Sequence, residues 1–254
     1  MSFEEKIVAF DLDGTLAESN QKMKSDMAEA LLKLLKLHKV ILISGASYIK
    51  MLSQLEVFLN LKDFQSDQNI KLNFFLLPTN GIVIYKYDKN LDSFKTITPP
   101  EAVLKDKRMI IEALNNIVSS GKFDIAKEGK GNVISDRGNQ ISLAGLGQDA
   151  SLSEKKLWDP DHKKRQAIKA EIEKHVQGVE VVIGGNSTID ILPKGFNKAV
   201  GLTHFLEILN FKKDDMVFMG DAIFPGGNDY SVAEAGFKSI KISGPEEVLR
   251  LITI

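Results

Sequence analysis

The chain has 254 residues, 43% apolar and 26% charged, which is material for one large domain or two small ones of ordinary globular composition. A net charge of −1 offers no basic field for nucleic acid, and no apolar run approaches the ~18–20 residues that span a membrane. With no cysteine, disulfides, thiolate catalysis and Cys-based zinc sites are excluded together, a composition that fits the cytoplasm, and His38, His162, His175 and His204 lack metal-ligand spacing.

Ile7-Val8-Ala9-Phe10 is a short apolar run ending in turn residues, which predicts a buried strand at 6–10. The acidic start reaches this strand at once, so no signal peptide is expected. Asp11-Leu12-Asp13-Gly14-Thr15-Leu16 follows directly. Two carboxylates, one residue apart, therefore stand at the carboxyl end of a strand, where open α/β sheets bind ligands. From there Asp11 can attack phosphorus to form an aspartyl-phosphate. Asp13 can protonate the leaving oxygen and later activate water. Gly14 allows a sharp turn beside a phosphate, and Thr15 adds a hydroxyl donor.

A helix near 23–38 carries Met27, Leu31, Leu34, Leu35 and His38 on one face. Strand 39–43 ends in Ser44-Gly45, suited to a phosphate oxygen, and leads to a helix at 47–60 and a buried strand at 74–77. This βαβαβ order predicts a parallel sheet with helices on its faces. Asn80-Gly81 is a turn signal, and 82–85 reads as the strand that leaves the core. From about 86 to 187 the pattern changes to an α+β insert. It contains a helix at 107–119, strands near 131–135 and 139–144 around the turn Asp136-Arg137-Gly138-Asn139, a charged helix at 161–177 and an edge strand at 179–183. Lys163-Lys164-Arg165 in that helix reads as a solvated face. The core resumes near Ile189. Lys198 opens a helix at 198–210, where its ammonium can offset the charge of a nucleophile and a phosphoryl group. Strand 215–219 ends in Gly220-Asp221, then Pro225-Gly226-Gly227-Asn228-Asp229, a helix at 229–235 and a strand at 239–242. Carboxylates at two strand ends suit Mg²⁺, a hard ion that takes a few carboxylates and keeps several waters.

Asp11 with Asp13, Ser44, Lys198, and Asp221 with Asp229, in this order and each tied to a strand end, resemble the four motifs of the haloacid dehalogenase superfamily of phosphotransferases. The long insert between the second and third motifs resembles the members with a type IIB cap. Gly220-Asp221, three variable residues and then Pro225-Gly226-Gly227-Asn228-Asp229 look like the phosphomannomutase branch. So does Gly184-Gly185-Asn186-Ser187-Thr188-Ile189-Asp190 followed by Pro193 and Gly195. The resemblance implies an α/β fold: a Rossmann-like, doubly wound parallel core of residues 1–85 and 188–254, and an inserted α+β cap of 86–187. It implies one Mg²⁺ held by Asp11, the main-chain carbonyl of Asp13 and Asp221, with Asp229 and Asn228 in support. It implies a small phosphorylated substrate, a sugar phosphate, and a monomer or homodimer.

Phosphate-monoester hydrolysis requires up to ~10²¹-fold acceleration, and the electrostatic part of that weakens if bulk water floods the site. A cap that closes over the phosphoryl group would both exclude water and read the substrate. Candidates for that reading are Arg137, Asn139, Gln148, Lys155, Ser187, Thr188 and Asp190, while Gly45 and Asn228 are substrate-binding candidates beside the core motifs. Thr188 and Asp190 match the Ser and Asp that bind sugar hydroxyls in the phosphomannomutase pattern. In that pattern an Arg follows the nucleophile by nine positions, where this chain has Asn20. Of two cap Arg eleven residues apart, the chain keeps Arg137 and has Gln148 in the second place, while a further Arg corresponds to Lys155. Hydrogen bonds to charged groups contribute about 1.5–3 kcal/mol each, so two lost Arg contacts cost about 3–6 kcal/mol of grip on a distal phosphate. Lys155 lacks the bidentate fork that would restore it. A sugar-phosphate phosphatase is therefore the first expectation. A phosphomannomutase interconverting mannose 6-phosphate and mannose 1-phosphate is the alternative. A catalytically silent sugar-phosphate sensor is the remote one, disfavoured by the intact Asp11, Asp13, Lys198 and Asp221.

Overall fold

The computed structural model describes residues 3–97 and 103–253. By its internal contacts the chain divides into two compact units, Met1–Pro99 with Lys198–Pro225 and Asp229–Ile254, and Pro100–Asn197 with Gly226–Asn228.

The first unit contains β1 (Ile7–Asp11), α1 (Ser25–Leu35), β2 (Lys39–Ile43), α2 (Tyr48–Gln54), α3 (Glu56–Leu59), α4 (Lys62–Ser66), α5 (Gln68–Leu72), β3 (Phe74–Leu77), β4 (Ile84–Asp88) and β5 (Ser93–Ile97). Its strands, with β10 (Met216–Gly220) and β11 (Lys238–Lys241) from the C-terminal part, form a seven-stranded sheet in the order β11-β10-β1-β2-β3-β4-β5. The first five strands are parallel and the last two antiparallel. Alternate residues of the same runs feed opposite faces. Val8, Phe10, Val40, Leu42, Phe74 and Leu76 pack into one cluster, and Ile7, Ala9, Ile41, Ile43, Phe75 and Leu77 into another. Burial on both faces is why these strands read as unbroken apolar runs rather than alternations. From β1 the order departs in two directions, to β2 on one side and β10 on the other, so the carboxyl ends of these three strands form a switch-point crevice.

The second unit contains α6 (Lys107–Ser119), β6 (Ile134–Asp136), β7 (Ile141–Ala144), α7 (Leu152–Trp158), α8 (Lys163–His175), β8 (Val179–Gly184) and β9 (Thr188–Pro193). Its antiparallel sheet runs β6-β7-β9-β8. Ile141, Leu143, Ile189 and Ile191 pack with Ile110, Leu114, Ile168 and Ile172 of α6 and α8. The opposite face, by strand alternation, carries Ser142 and Asp190. The chain then returns through α9 (Lys198–Ile208), β10 (Met216–Gly220), α10 (Tyr230–Glu234), β11 (Lys238–Lys241) and α11 (Pro245–Ile252).

Several sequence expectations shift. β4 pairs with β3 and carries β5 into the large sheet, so residues 86–97 belong to the first unit rather than to the insert. β9 pairs with β7 and β8, so 188–193 belong to the second unit rather than to the core. Gly226–Asn228 also groups there, with Gly227 bridged to Ile183. The expected helix at 47–60 is two helices, because Leu55 leaves the helical region at φ −90°, ψ 3°. The 163–165 stretch is not uniformly solvated. Arg165 lies on the helix face of Ile168 and Ile172 and is 2% exposed.

Candidate active site

Two strand ends and two helix starts converge on a charged centre in the first unit. Asp11 is the last residue of β1, Asp221 follows β10, Asp229 precedes α10 and Lys198 opens α9. One carboxylate oxygen each from Asp11, Asp221 and Asp229 lie within 4.8 Å of one another. Lys198 Nζ donates to Asp11 Oδ1 at 2.5 Å and to Asp229 Oδ1 at 2.7 Å, with its side chain fully buried. Asp229 Oδ2 accepts from the Ala222 amide at 3.0 Å, which pins the loop that carries Asp221. Gly14 closes the turn after β1 at φ +88°, and a Cβ there would lie 2.5 Å from Asp221 Oδ2. Only glycine fits this approach. Ser44, at the end of β2, is 2% exposed, and its hydroxyl accepts from the Ala46 amide at 3.0 Å, shaping the turn that contains Gly45.

Three carboxylates around one ammonium leave the centre short of positive charge. Burial, with the charges of Asp229 and Asp221, raises the pKa of Asp11 against the pull of Lys198. Asp221 is pushed up to about 6, first by burial and then by Asp229. Burial alone would lower the pKa of Lys198, but Asp11 and Asp229 outweigh it and hold the ammonium charged. A divalent cation would balance the two uncompensated charges, and hard carboxylate oxygens are the donors Mg²⁺ prefers. The residues present therefore fit that ion.

Asp13 is held differently. Its Oδ1 accepts from the Asn20 amide at 2.7 Å and from Gln54 Nε2 at 2.9 Å. Asn20 is exposed and takes a left-handed conformation, φ 61°, that asparagine tolerates. Thr15 Oγ1 and Gln54 Oε1 are buried and unpartnered, and a buried polar atom without a hydrogen bond costs about 1–3 kcal/mol. Sequence reasoning missed Gln54. The signal was a polar residue on the apolar face of a helix, in register with Met51, Leu55 and Phe58.

In the second unit the polar face of the small sheet gathers other expected residues. Ser142 stands opposite Asp190 in the β7–β9 ladder and donates its hydroxyl hydrogen to Asp190 Oδ1. Gln140 Nε2 donates to the Ser142 hydroxyl at 3.2 Å, and Arg137 Nη1 lies 3.9 Å from Asp190 Oδ1. Gln148 and Lys155 form a second group. Gln148 Nε2 donates to the Ser135 hydroxyl, and Lys155 Nζ, 4% exposed, donates to the Gln148 carbonyl at 2.6 Å. Thr188 and Asn139 are half-buried at the ends of β9 and of the β6–β7 turn. Ser187 is buried with its hydroxyl unpartnered.

The family model described as haloacid dehalogenase-like hydrolase matches residues 8–234. The chain belongs to this family. It is accordingly an enzyme of phosphoryl transfer. Among curated proteins it is 27% identical to a probable phosphomannomutase of Caenorhabditis elegans, covering 95% of this chain and 91% of that protein. It is 26% identical to phosphomannomutase 2 of Dictyostelium discoideum (97% and 94%) and 26% identical to the phosphomannomutase of Saccharomyces cerevisiae (98% and 93%). Among solved structures, a truncated IMP-nucleotidase of Plasmodium falciparum superposes with a TM-score of 0.70 at 18% identity, over 98% of this chain and 69% of that one. A haloacid dehalogenase-like hydrolase of Bacteroides thetaiotaomicron gives 0.60 at 16%, over 98% of both chains. At these identities the structural likeness establishes the fold. Among the described residues of this haloacid dehalogenase-like chain, no helix is long and apolar enough to cross a membrane.

A second feature unforeseen in the sequence of this family member is a buried ion pair in the second unit. Arg165 Nε donates to Asp159 Oδ2 at 2.7 Å, with both side chains at most 2% exposed. Nη1 of Arg165 donates to the main-chain carbonyls of Gly184, at 3.3 Å, and Gly185. Asp159 also accepts from the Lys164 and Arg165 amides at the start of α8. The pair thus ties α8 to the turn between β8 and β9, from which Thr188 and Asp190 follow. Removing one member of such a pair costs about 3–5 kcal/mol.

Proposed function

We propose that the chain is a Mg²⁺-dependent phosphomutase acting on a hexose phosphate, of the phosphomannomutase kind. The observation that carries the chemistry is Lys198 bridging Asp11 and Asp229 beside Asp221, at 2.5 and 2.7 Å. Asp11 Oδ attacks phosphorus, the bond from phosphorus to the leaving oxygen breaks, and that oxygen takes its proton from Asp13. In the second half an incoming hydroxyl attacks the aspartyl-phosphate, gives its proton to Asp13 and frees Asp11. Lys198 offsets the nucleophile's charge, and Ser44 and Gly45 are assigned to phosphate oxygens. Mg²⁺, held by Asp11, the Asp13 carbonyl and Asp221 with Asp229 and Asn228 in support, would stabilise charge on the transferring group. Arg137, Asn139, Gln148, Lys155, Thr188 and Asp190 are assigned to the sugar and its distal phosphate.

Likeness to phosphomannomutases over nine-tenths of both chains favours the mutase and reverses the order expected from the sequence. A specific observation keeps the phosphatase as the second reading. Asn20 turns its side-chain amide to Ser19 and Gln148 bonds Ser135, so neither place supplies a cation for a distal phosphate. The deciding assay measures phosphate release and 1-to-6 isomerisation together, with Mg²⁺, mannose and glucose phosphates, and with or without glucose 1,6-bisphosphate. Isomerisation faster than phosphate release, dependent on the bisphosphate, is expected. Steady phosphate release without isomerisation would make the chain a phosphatase. In that case the Asn20→Arg, Gln148→Arg double variant should regain isomerisation.

A further inference from the structure

We propose that Gln54 is the positioning residue for the proton-transferring carboxylate Asp13. The inference rests on the phosphoryl-transfer reading above and holds for mutase and phosphatase alike. Asp13 lies on the irregular loop after β1, where nothing in the regular sheet fixes its side-chain torsions. Two N–H donors grip the same oxygen, Oδ1, the Asn20 amide at 2.7 Å and Gln54 Nε2 at 2.9 Å. The grip leaves Oδ2 as the oxygen that exchanges the proton with the leaving and incoming groups.

Gln54 is itself immobilised. It is the last residue of α2 and 1% exposed, and its own carbonyl accepts from the Met23 amide at 2.7 Å. Nε2 has a second acceptor, the Gln21 carbonyl, at 3.4 Å. The other end of the amide is a cost with no structural return, since Oε1 is buried with no partner. An apolar side chain of the same length would fill the space without burying an orphaned carbonyl. Packing therefore does not account for a glutamine here, whereas a donor aimed at Asp13 does. The transferring step shows what depends on it. As the phosphorus–oxygen bond to the sugar breaks, the departing alkoxide must receive the Asp13 proton in the same geometry each time. A departing nitrophenolate needs little of that proton.

The test compares Gln54→Met and Gln54→Leu with the unmodified enzyme in Mg²⁺, on a hexose phosphate and on p-nitrophenyl phosphate. On the hexose phosphate kcat should fall on the order of 10–100-fold, with KM within about 2-fold, as general acid catalysis is weakened. On p-nitrophenyl phosphate the burst of nitrophenol that reports Asp11 phosphorylation should fall several-fold less. The melting temperature of the metal-free variants should equal or exceed that of the unmodified protein. Equal losses on both substrates, a lowered melting temperature accounting for them, or unchanged hexose phosphate turnover in both variants would overturn the positioning role. Failure of the unmodified protein to turn over either substrate would instead overturn the phosphoryl-transfer reading, and this inference with it.

Discussion

The two units carry polar groups in opposite ways. In the first, Asp11, Asp221 and Asp229 crowd around a single ammonium, each delivered by the end of a strand or the start of a helix. In the second, Ser142 and Asp190 lie mid-sheet with Gln140 just before β7, the three bonded in series, and Lys155 and Gln148 likewise use main-chain and hydroxyl partners. Chain ends at a switch point concentrate charge because several strands stop together. A sheet face spreads polar groups at the spacing of the ladder, so they pair as neighbours. Excess negative charge is what draws in a metal ion, whereas a self-satisfied face contributes shape and hydrogen bonds. The comparison implies that removing charge has opposite consequences within the first centre and modest ones in the second.

The largest effect should come from Lys198→Met. It leaves buried carboxylates without their cation, a change that costs about 3–5 kcal/mol when a buried pair loses one member. Urea denaturation should register that loss, and turnover should fall on the order of 10³-fold, the scale of a lost electrostatic stabiliser. An unchanged midpoint would break the picture of a charge-starved centre.

Asp221→Asn should separate stability from activity. Mg²⁺-dependent turnover should fall on the order of 10²-fold or more. The metal-free variant at pH 7.5 should nonetheless melt at a higher temperature than the unmodified protein, because one of three repelling carboxylates is gone. A lower melting temperature would show that Asp221 is a structural partner rather than a destabilising charge.

Asp190→Ala probes the second unit. It deprives the Ser142 hydroxyl of its acceptor, for which about 1–3 kcal/mol of stability should be lost. KM for a hexose phosphate should rise about tenfold, equivalent to one lost hydrogen bond to a polar group, with kcat largely retained. A drop in kcat with unchanged KM would move Asp190 from recognition into the chemistry.

The smallest effect concerns pH. Asp11 and Asp221 bind protons more tightly in the folded protein than in the unfolded chain. The contribution of Asp221 to stability is full below the ordinary carboxylate pKa of ~4 and is lost as pH rises through about 6, and that of Asp11 is likewise lost with rising pH. In chelator, the melting temperature should therefore carry a decrease of a few degrees between pH 5 and 7.5 that Mg²⁺ abolishes. A decrease that persists in Asp221→Asn with saturating Mg²⁺ would assign it to other groups.

Composition, the apolar runs of β1, β2, β3 and β10, and the order of motifs at their ends were enough to determine the α/β class, the parallel core and an inserted α+β unit. Those runs are legible because strands buried on both faces have no alternative to unbroken hydrophobicity. The same logic does not reach β5, whose Ser93–Ile97 segment is a largely exposed edge, or the short helices α4 and α5, which lack enough turns to show a period. Nor does it place β9, which is buried like a core strand but pairs with β7 and β8. Only tertiary structure decided that Lys198 spans Asp11 and Asp229, that Gln54 reaches Asp13 from 41 residues away and that Arg165 is interior rather than part of a basic helix face. Such pairings depend on which elements the sheet order brings side by side, and that order is set by long-range burial rather than by any local pattern of residues.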